Sequence, residues 1–318
     1  VIYRLASETV DRELVWRFTV ESYAALPISA ARPVGSADVQ SPGFRYRVVQ
    51  GPSSAELSNT SERAEAQLAW TLKDPSTGIL YSNEATPGLG PDGTFLIDGV
   101  INFDQDGPKP APEGEGNFRP DGGMPGIPGA TGHADAYSTE TVAWLELPEG
   151  YLRVGVNSDD GFRVTLSEGP DPSAMILGGF EGGRGPEDTL FGFVVPVAGL
   201  YPFRLIHYDG SEGSSLEWFT VEAGSVLRKV LINDRTRPTA IRAWRARKDG
   251  LVPLVGTVER TAEGVRLRWP GDPGVRLQRW TEGASARWED VPGTDGRSEW
   301  VEPVEAGVRM RLFRWIRP

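Results

Sequence analysis

The sequence predicts an all-β fold: an antiparallel β-sandwich carrying one short helix, followed by a small C-terminal immunoglobulin- or fibronectin-like β domain. Three observations predict it. Apolar and polar residues alternate over short runs from Gly43 almost to the last residue, the period of a half-buried strand. Turn formers break those runs at short intervals, with 39 Gly and 26 Pro among 318 residues. Helical spacing with a cap occurs in a single stretch.

The elements follow in order. Residues 1–35 read as an N-terminal strand extension, in which Leu14, Trp16, Phe18 and Val20 alternate with Val15, Arg17 and Thr19. Pro27 and Arg32-Pro33 then mark a loop. A lone strand is not stable, so this one is expected to pair with its own sheet or a neighbouring copy's. The main sandwich is placed at 36–234. It opens with Phe44, Tyr46 and Val48 alternating with Arg45, Arg47 and Val49. The helix, SERAEAQLAWTL, spans 61–72, with Ser61 as its cap and Ala64, Leu68 and Leu72 as its apolar stripe.

The stretch 74–135 is rich in Gly and Pro and holds one short strand, 95–103. So long a loop is either functional or pinned. Strands are expected at 141–147, 151–156, 162–166, 190–197, 199–208, 215–221 and 228–232, a sandwich pattern. Trp144, Trp218 and Trp269 fall in strands and are expected to pack. Residues 235–252 read as a linker containing one more strand, 240–245. Residues 253–318 hold six short strands: LVGTV, VRLRW, VRLQRW, ARWEDV, EWVEP and RMRLFRW.

Composition removes several function classes. There is no cysteine, so disulfides, thiolate metal sites and cysteine nucleophiles are excluded. No apolar run is long enough to insert into a membrane as a helix. Residues 1–234 hold 16 basic against 33 acidic side chains, a net of −17; residues 235–318 hold 17 against 11, a net of +6. An acidic body repels phosphate, so nucleic acid is not an expected partner. The C-terminal arginines alternate with apolar residues, as on a solvated sheet face. The chain begins at Val1 rather than Met, as a chain stripped of a signal peptide, or otherwise trimmed, would.

Candidate chemistry centres on VNSDDGF. Asp159 and Asp160 stand between two predicted strands, with Gly161 completing the turn. Successive strand residues face opposite ways, so the two carboxylates converge only in a tight or cis-like turn. Two readings stand. In one, Asp159 bonds local amides in an Asx-turn and Asp160 is solvated; spacing alone favours this. In the other, a divalent cation offsets the like-charge repulsion, as Ca²⁺ with its six to eight oxygen ligands can. A second candidate calcium loop is NFDQDGPKPAPE, where Asn102, Asp104, Asp106, Gly107 and Glu113 match positions 1, 3, 5, 6 and 12 of a calcium-loop pattern. No helices flank it and three prolines follow, so a solvated acidic loop is the competing reading.

Other motifs carry less. GMPGIPGATGHA is too short for a collagen-like helix and reads as a pinned surface loop. In GGFEGGRGPEDTLF, Arg184 is expected to hold its turn by pairing with Glu181, Glu187 or Asp188. His133 and His207 are the two histidines. No serine sits in a nucleophile turn, and adjacent aspartates cannot straddle a glycosidic bond at the roughly 5–10 Å that chemistry needs. The chain is not expected to be an enzyme.

The stretches GYLRVGVNSDDGFRVTL (150–166) and GLYPFRLIHYDGSEGSSLEWF (199–219) resemble the β-sandwich module named after the anthrax protective antigen, shared with yeast flocculin adhesins and with inserts in some glycosidases. Segments such as VINFDQDG and GGRGPEDTLF extend the resemblance over 43–234, towards a variant of long secreted modular bacterial proteins. The resemblance implies a secreted or cell-surface (bacterial) adhesion module that binds carbohydrate or matrix through calcium. It places the calcium on Asp159 and Asp160, with Asp209 or Glu212 of the 209–213 loop as further ligands. In several lectin members an Asn of that loop is a ligand; here the loop has none. The competing reading is a structural subunit of an extracellular fibre, whose copies join by N-terminal strand exchange.

Overall fold

The computed structural model describes residues 4–5, 14–15, 23–55, 57–90, 93–222, 228–246, 257–261, 263–268, 276–281, 287–294, 297, 299–303 and 313–316. In chain order the first unit contains β1 (Arg4–Leu5), β2 (Leu14–Val15), β3 (Ala24–Ala25), β4 (Phe44–Gln50), α1 (Ser61–Leu68), β5 (Phe95–Ile97), β6 (Asn102–Asp104), β7 (Gly122–Gly123), β8 (Tyr137–Leu147), β9 (Gly150–Asp159), β10 (Gly161–Thr165), β11 (Ile176–Phe180), β12 (Glu187–Val195), β13 (Gly199–Tyr208), β14 (Ser215–Val221), β15 (Lys229–Leu231) and β16 (Arg242–Trp244).

Two sheets form a sandwich, as expected. One runs β11-β10-β13-β8-β4-β5, with β16 also on β8; the other runs β3-β12-β9-β14-β6-β7, with β15 on β14. The alternation read from sequence supplies the layer between them. Phe44 and Tyr46, Phe162 and Val164, and Phe203 and Leu205 face Val154 and Val156, Leu216 and Trp218, all with almost no exposure. Trp218 lies with its ring centroid 5.9 Å from Phe44 and 6.3 Å from Phe203. Burying large aromatic area between two sheets is the main stabilising term of such a fold. The long 74–135 segment is pinned through Met124 and Ile127, which enter the same core.

Several elements differ from expectation. The helix stops at Leu68 and is capped by Thr60, whose hydroxyl accepts the Arg63 amide at 3.2 Å. Trp70 turns left-handed at φ 60°, which ends it before Leu72. The single strand expected over 95–103 is two, β5 and β6, in different sheets, because the chain crosses between sheets at 98–101. β11, with two glycines and no alternation, was not expected. β2 pairs with β1, not with a sandwich sheet, while β3 adds in parallel to β12. Trp16, Phe18, Val20 and Trp269 lie outside the described residues. The strand in the segment read as a linker, β16, pairs antiparallel with β8. The described residues up to Arg245, apart from Ser36–Asp38, form one compact unit, and Ser36–Asp38 with those from Ala246 onward form another.

Among its described residues the second unit has two three-stranded antiparallel sheets. One is β17 (Thr257–Arg260), β18 (Val265–Arg268) and β21 (Glu299–Glu302); the other is β20 (Arg287–Asp290), β19 (Arg276–Thr281) and β22 (Phe313–Ile316). Leu267, Leu277 and Val291 form its core with Val265, Trp300 and Phe313. Its arginines pair across strands: Arg268 with Glu299 at 2.6 Å, Arg276 with Asp290 at 3.0 Å and Arg279 with Glu302 at 3.1 Å. No helix among the described residues is long and apolar enough to cross a membrane.

Candidate metal centre

Two crossovers between the sheets meet at one end of the sandwich. The chain leaves β9 in one sheet and enters β10 in the other through Asp159, Asp160 and Gly161. It returns from β13 to β14 through Asp209 and 210–214. Register holds the crossovers side by side, with Gly161 opposite Tyr208 and Asp159 opposite Ser215. The Asp159–Asp160 peptide is cis. Gly161 is required by close approach: a Cβ there would lie 2.4 Å from the Tyr208 ring.

One carboxylate oxygen each of Asp159, Asp160 and Asp209 lies within 4.8 Å of the others. Relative exposures are 8%, 6% and 0%, so Asp209 is innermost and Asp159 outermost. Their surroundings differ. Asp160 is held by three segments: its Oδ1 accepts the Arg184 amide (2.9 Å), and its Oδ2 accepts Asn59 Nδ2 (2.6 Å) and the Gly210 amide (3.2 Å). The Asp159 carbonyl accepts Ser214 Oγ at 2.5 Å and His207 Nε2–H at 2.9 Å. Both carboxylate oxygens of Asp209 are buried with no hydrogen-bond partner.

Electrostatics follow from that burial. Three unit charges within 4.8 Å repel by about 3.5 kcal/mol per pair at an effective dielectric of about 20. Three such pairs rival the total stability of a domain, so the ionised trio needs a cation or protons. Burial, then Asp160 and Glu115, push the Asp159 carboxyl up to about 7. Burial, then Asp160 and Asp135, push Asp209 up to about 8. Burial holds His207 down at about 4, so its ring is neutral and acts as a fixed donor to Asp159, not as a base.

Residues to which the sequence assigned no role in the site build the frame. Arg63 of α1 is buried and reaches the carbonyls of Ser58 (2.7 Å), Tyr137 (3.0 Å) and Asp209 (3.0 Å), and Asn59 Oδ1 (3.2 Å). Its helix thereby ties both crossovers' neighbours together. Asn59 supplies an amide beside Asp160 from a segment one hundred residues away, not from the 209–213 loop. Arg184 does not pair with Glu181, Glu187 or Asp188 within hydrogen-bond reach. It bonds the Ser158 carbonyl and hydroxyl and Thr189 Oγ1, and stacks 4.1 Å from the Phe180 ring centroid.

Glu212 is exposed at φ 72°, and its carbonyl accepts Gln105 Nε2. Its charge raises Asp159, but its carboxylate is not in the trio. The Asn102, Asp104, Asp106 loop is not brought together around an empty centre. Lys109, inside the same motif, puts its ammonium 2.7 Å from Asp104 and 3.8 Å from Asp106, where a cation would sit. Asn102 turns its Nδ2 to the Pro120 carbonyl at 3.0 Å.

No protein-family model matches the chain, and no curated protein matches it. Solved structures similar to it include the PA14 domain of the antifreeze protein MpAFP (12% identity, TM-score 0.39, covering 65% of this chain and 92% of that one). They also include the PA14 sugar-binding domain of an RTX adhesin (15%, 0.39, 65% and 99%). A third is the A domain of epithelial adhesin 9 from Candida glabrata, in complex with Galβ1-4GlcNAc (11%, 0.38, 72% and 96%).

Proposed function

We propose that this is a non-catalytic binding module that holds Ca²⁺ on Asp159, Asp160 and Asp209 and binds carbohydrate through that ion. The single observation that carries the reading is Asp209: a fully buried carboxylate with both oxygens unpartnered, facing two more carboxylates. A hard cation with irregular oxygen coordination fits that donor set, whereas Mg²⁺ demands a near-ideal octahedron. The trio supplies three of six to eight positions. Sugar hydroxyls would enter past Asp159, the least buried of the three, and the exposed residues 211–212.

Carbohydrate as the ligand rests on the sequence resemblance, which rests in turn on the Ser-Asp-Asp-Gly turn and the 199–219 stretch. Calcium sites of extracellular modules typically work at 10⁻⁴–10⁻³ M, and a secreted or cell-surface location belongs to the same proposal. The frame of Asn59, Arg63 and Arg184 positions the ligands and does not itself touch the ion.

Calorimetric titration of decalcified protein with CaCl₂ tests the reading, beside Asp159→Ala and Asp160→Ala, followed by a glycan array with calcium and with EDTA. Saturable binding lost in both variants, with EDTA-sensitive glycan signal, is expected. Absence of calcium binding, or binding that survives both substitutions, overturns the site; calcium binding with no glycan signal overturns the ligand.

A further inference from the structure

A lysine, an amide and two carboxylates converge on the outer face of the β12–β9–β14 sheet. Register sets Asp188, Asn157 and Glu217 side by side across those strands, and puts Lys229 of β15 opposite Val221 of β14. The segment 114–121 crosses this face. It is fastened by Glu217, whose carboxylate accepts the amides of Asn117 (2.7 Å) and Phe118 (2.8 Å). Phe118 packs with its ring centroid 5.9 Å from that of Phe219, which forms a small apolar cluster with Val221, Leu231 and Leu190.

Lys229 reaches over this cluster. Its ammonium lies 5.2 Å from the Phe219 ring centroid, and its side chain is 17% exposed. It donates to Asp188 Oδ2 and to Asn117 Oδ1. Asn117 Nδ2 donates in turn to Asp188 Oδ1 (2.7 Å) and Glu217 Oε2 (2.8 Å). Asn157 Nδ2 fixes Asp188 Oδ1 at 2.8 Å. The reversed amide would set N–H against an ammonium and a carbonyl oxygen against two carboxylates, so the network admits one orientation. Positive charge therefore sits at the oxygen of the Asn117 amide and polarises its carbonyl, while a carboxylate stands on either side of its nitrogen. The two carboxyls are pushed apart. Burial raises Glu217 against the amides that draw it down. At Asp188 burial is outweighed by Lys229, Asn157 and Asn117, which hold it low. One ionised and one protonated carboxyl suit the taking and the giving of a proton.

We propose that Lys229 Nζ and Asn117 Cγ join in an isopeptide bond, with ammonia as the leaving group and Asp188 and Glu217 as proton carriers. A nitrogen hydrogen-bonded to an amide oxygen stands about 3.5 Å from the carbonyl carbon, at the edge of the near-attack range. A turn of the Asn117 amide about its Cβ–Cγ bond brings the face of that carbon to the amine. Asp188 takes one proton from the ammonium. The amine attacks Cγ, the new C–N bond forms, and the carbonyl π pair moves to Oδ1. As that pair returns, the Cγ–Nδ2 bond breaks and Nδ2 leaves with a proton from Glu217 as ammonia. A second Nζ proton replaces the one Glu217 gave, and ammonia takes the Asp188 proton and departs as ammonium. Asn117 is exposed, so the product escapes to solvent. The bond ties the 114–121 segment to β15 across 112 positions. In a chain without cysteine it is a staple that no reductant opens. None of these residues belongs to the aspartate trio, so the inference stands apart from the calcium reading.

The test is the intact mass of the denatured full chain after prolonged incubation of the folded protein, followed by peptide mapping. Wild type is expected to be lighter than its sequence by about 17 Da, the mass of ammonia, with a branched peptide joining Asn117 to Lys229. Lys229→Arg is expected at its full sequence mass. Asn117→Asp is expected to lose about 18 Da instead, because water replaces ammonia as the leaving group. Wild type at its full mass overturns the proposal. So does a loss of about 17 Da that survives Lys229→Arg, which marks a succinimide elsewhere. A branch that joins Lys229 to Asp188, with loss of water from the wild type, overturns the assignment of Asn117.

Discussion

Replacing Asp209 by Asn is expected to reverse the order of stability according to whether calcium is present. The carboxyl shifts from 3.8 to about 8 in the folded chain. A carboxylate raised on folding stabilises the fold fully below its unfolded value, and that contribution is lost as pH rises through the folded value. At pH 8, ionising Asp209 in the decalcified fold therefore costs about 5 kcal/mol, at 1.36 kcal/mol per pKa unit. Coulomb repulsion from two neighbours within 4.8 Å gives about 7 kcal/mol, the same order. Proton sharing with Asp159 lowers the figure, so about 3–5 kcal/mol is expected. Asn carries no charge and offers its amide to two neighbouring carboxylates. In EDTA at pH 8, Asp209→Asn should melt about 6–20 °C above wild type, at roughly 2–4 °C per kcal/mol. The gap should close at pH 4–5. In millimolar calcium the wild type should gain stability, the variant little, and the order should invert. Scanning calorimetry at both pH values reads this. A decalcified variant less stable than wild type at pH 8, or equal calcium shifts in both, would refute the reasoning.

Three further outcomes follow from the same geometry. Calcium must displace protons from Asp159 and Asp209, so affinity should rise with pH through about 7 to 8, with roughly one to two protons released per ion; calorimetry in buffers of different ionisation enthalpy counts them, and a pH-independent affinity would contradict it. Arg63→Leu leaves the Ser58, Tyr137 and Asp209 carbonyls without their donor, and should cost more than about 3 kcal/mol, read as denaturation midpoint; Arg63→Lys should rescue little, because one ammonium cannot span those acceptors. Gly161→Ala forces a methyl against the Tyr208 ring and should cost about 1–3 kcal/mol by overpacking, again visible in the midpoint.

Much of the sandwich was legible because burial on one face writes a period of two into the chain. β13 and β14 were read with their full extent and β4 all but its last residue; in the C-terminal unit β18, β19, β20 and β21 fall on four of the six expected strands, while LVGTV and RMRLFRW overlap β17 and β22 only in part and otherwise lie outside the described residues. β11 was not legible, since its two glycines erase the alternation and Phe191 packs where a Cβ on Gly178 would be. The early end of α1 was not legible either: nothing local in AWTL announces the left-handed Trp70. In the site, the adjacent aspartates and Asp209 could be found by residue type and by the resemblance. Asn59, Arg63 and Arg184 could not, because their contacts span 24 to 146 positions and no spacing rule links them. Lys109 could have been found. It stands inside NFDQDGPKPAPE, and a lysine among calcium-loop oxygens is itself a warning that the cation is already supplied.

That contrast between the two acidic loops explains what separates a metal centre from a salt bridge here. Asp104 has Lys109 at 2.7 Å and the Asp106 amide at 2.8 Å, so its charge is answered within six residues. Asp209 has nothing. Its neighbours Asn59, Arg63 and Arg184 spend their donors on carbonyls, on Asp160 and on one another's loops, and no hydrogen bond reaches its carboxylate. Arg63 could in principle have served as the full counter-ion, yet its hydrogen bond meets Asp209 at the carbonyl, 3.0 Å away, and it binds five other acceptors with the rest of its fork. The frame fixes where the three carboxylates stand without neutralising them. A folded chain that holds like charges together and assigns its nearest guanidinium elsewhere is preorganised for a charge from solution. The same logic sets the order of the experiments: calcium is the first ligand to titrate, and glycans are meaningful only once it is bound.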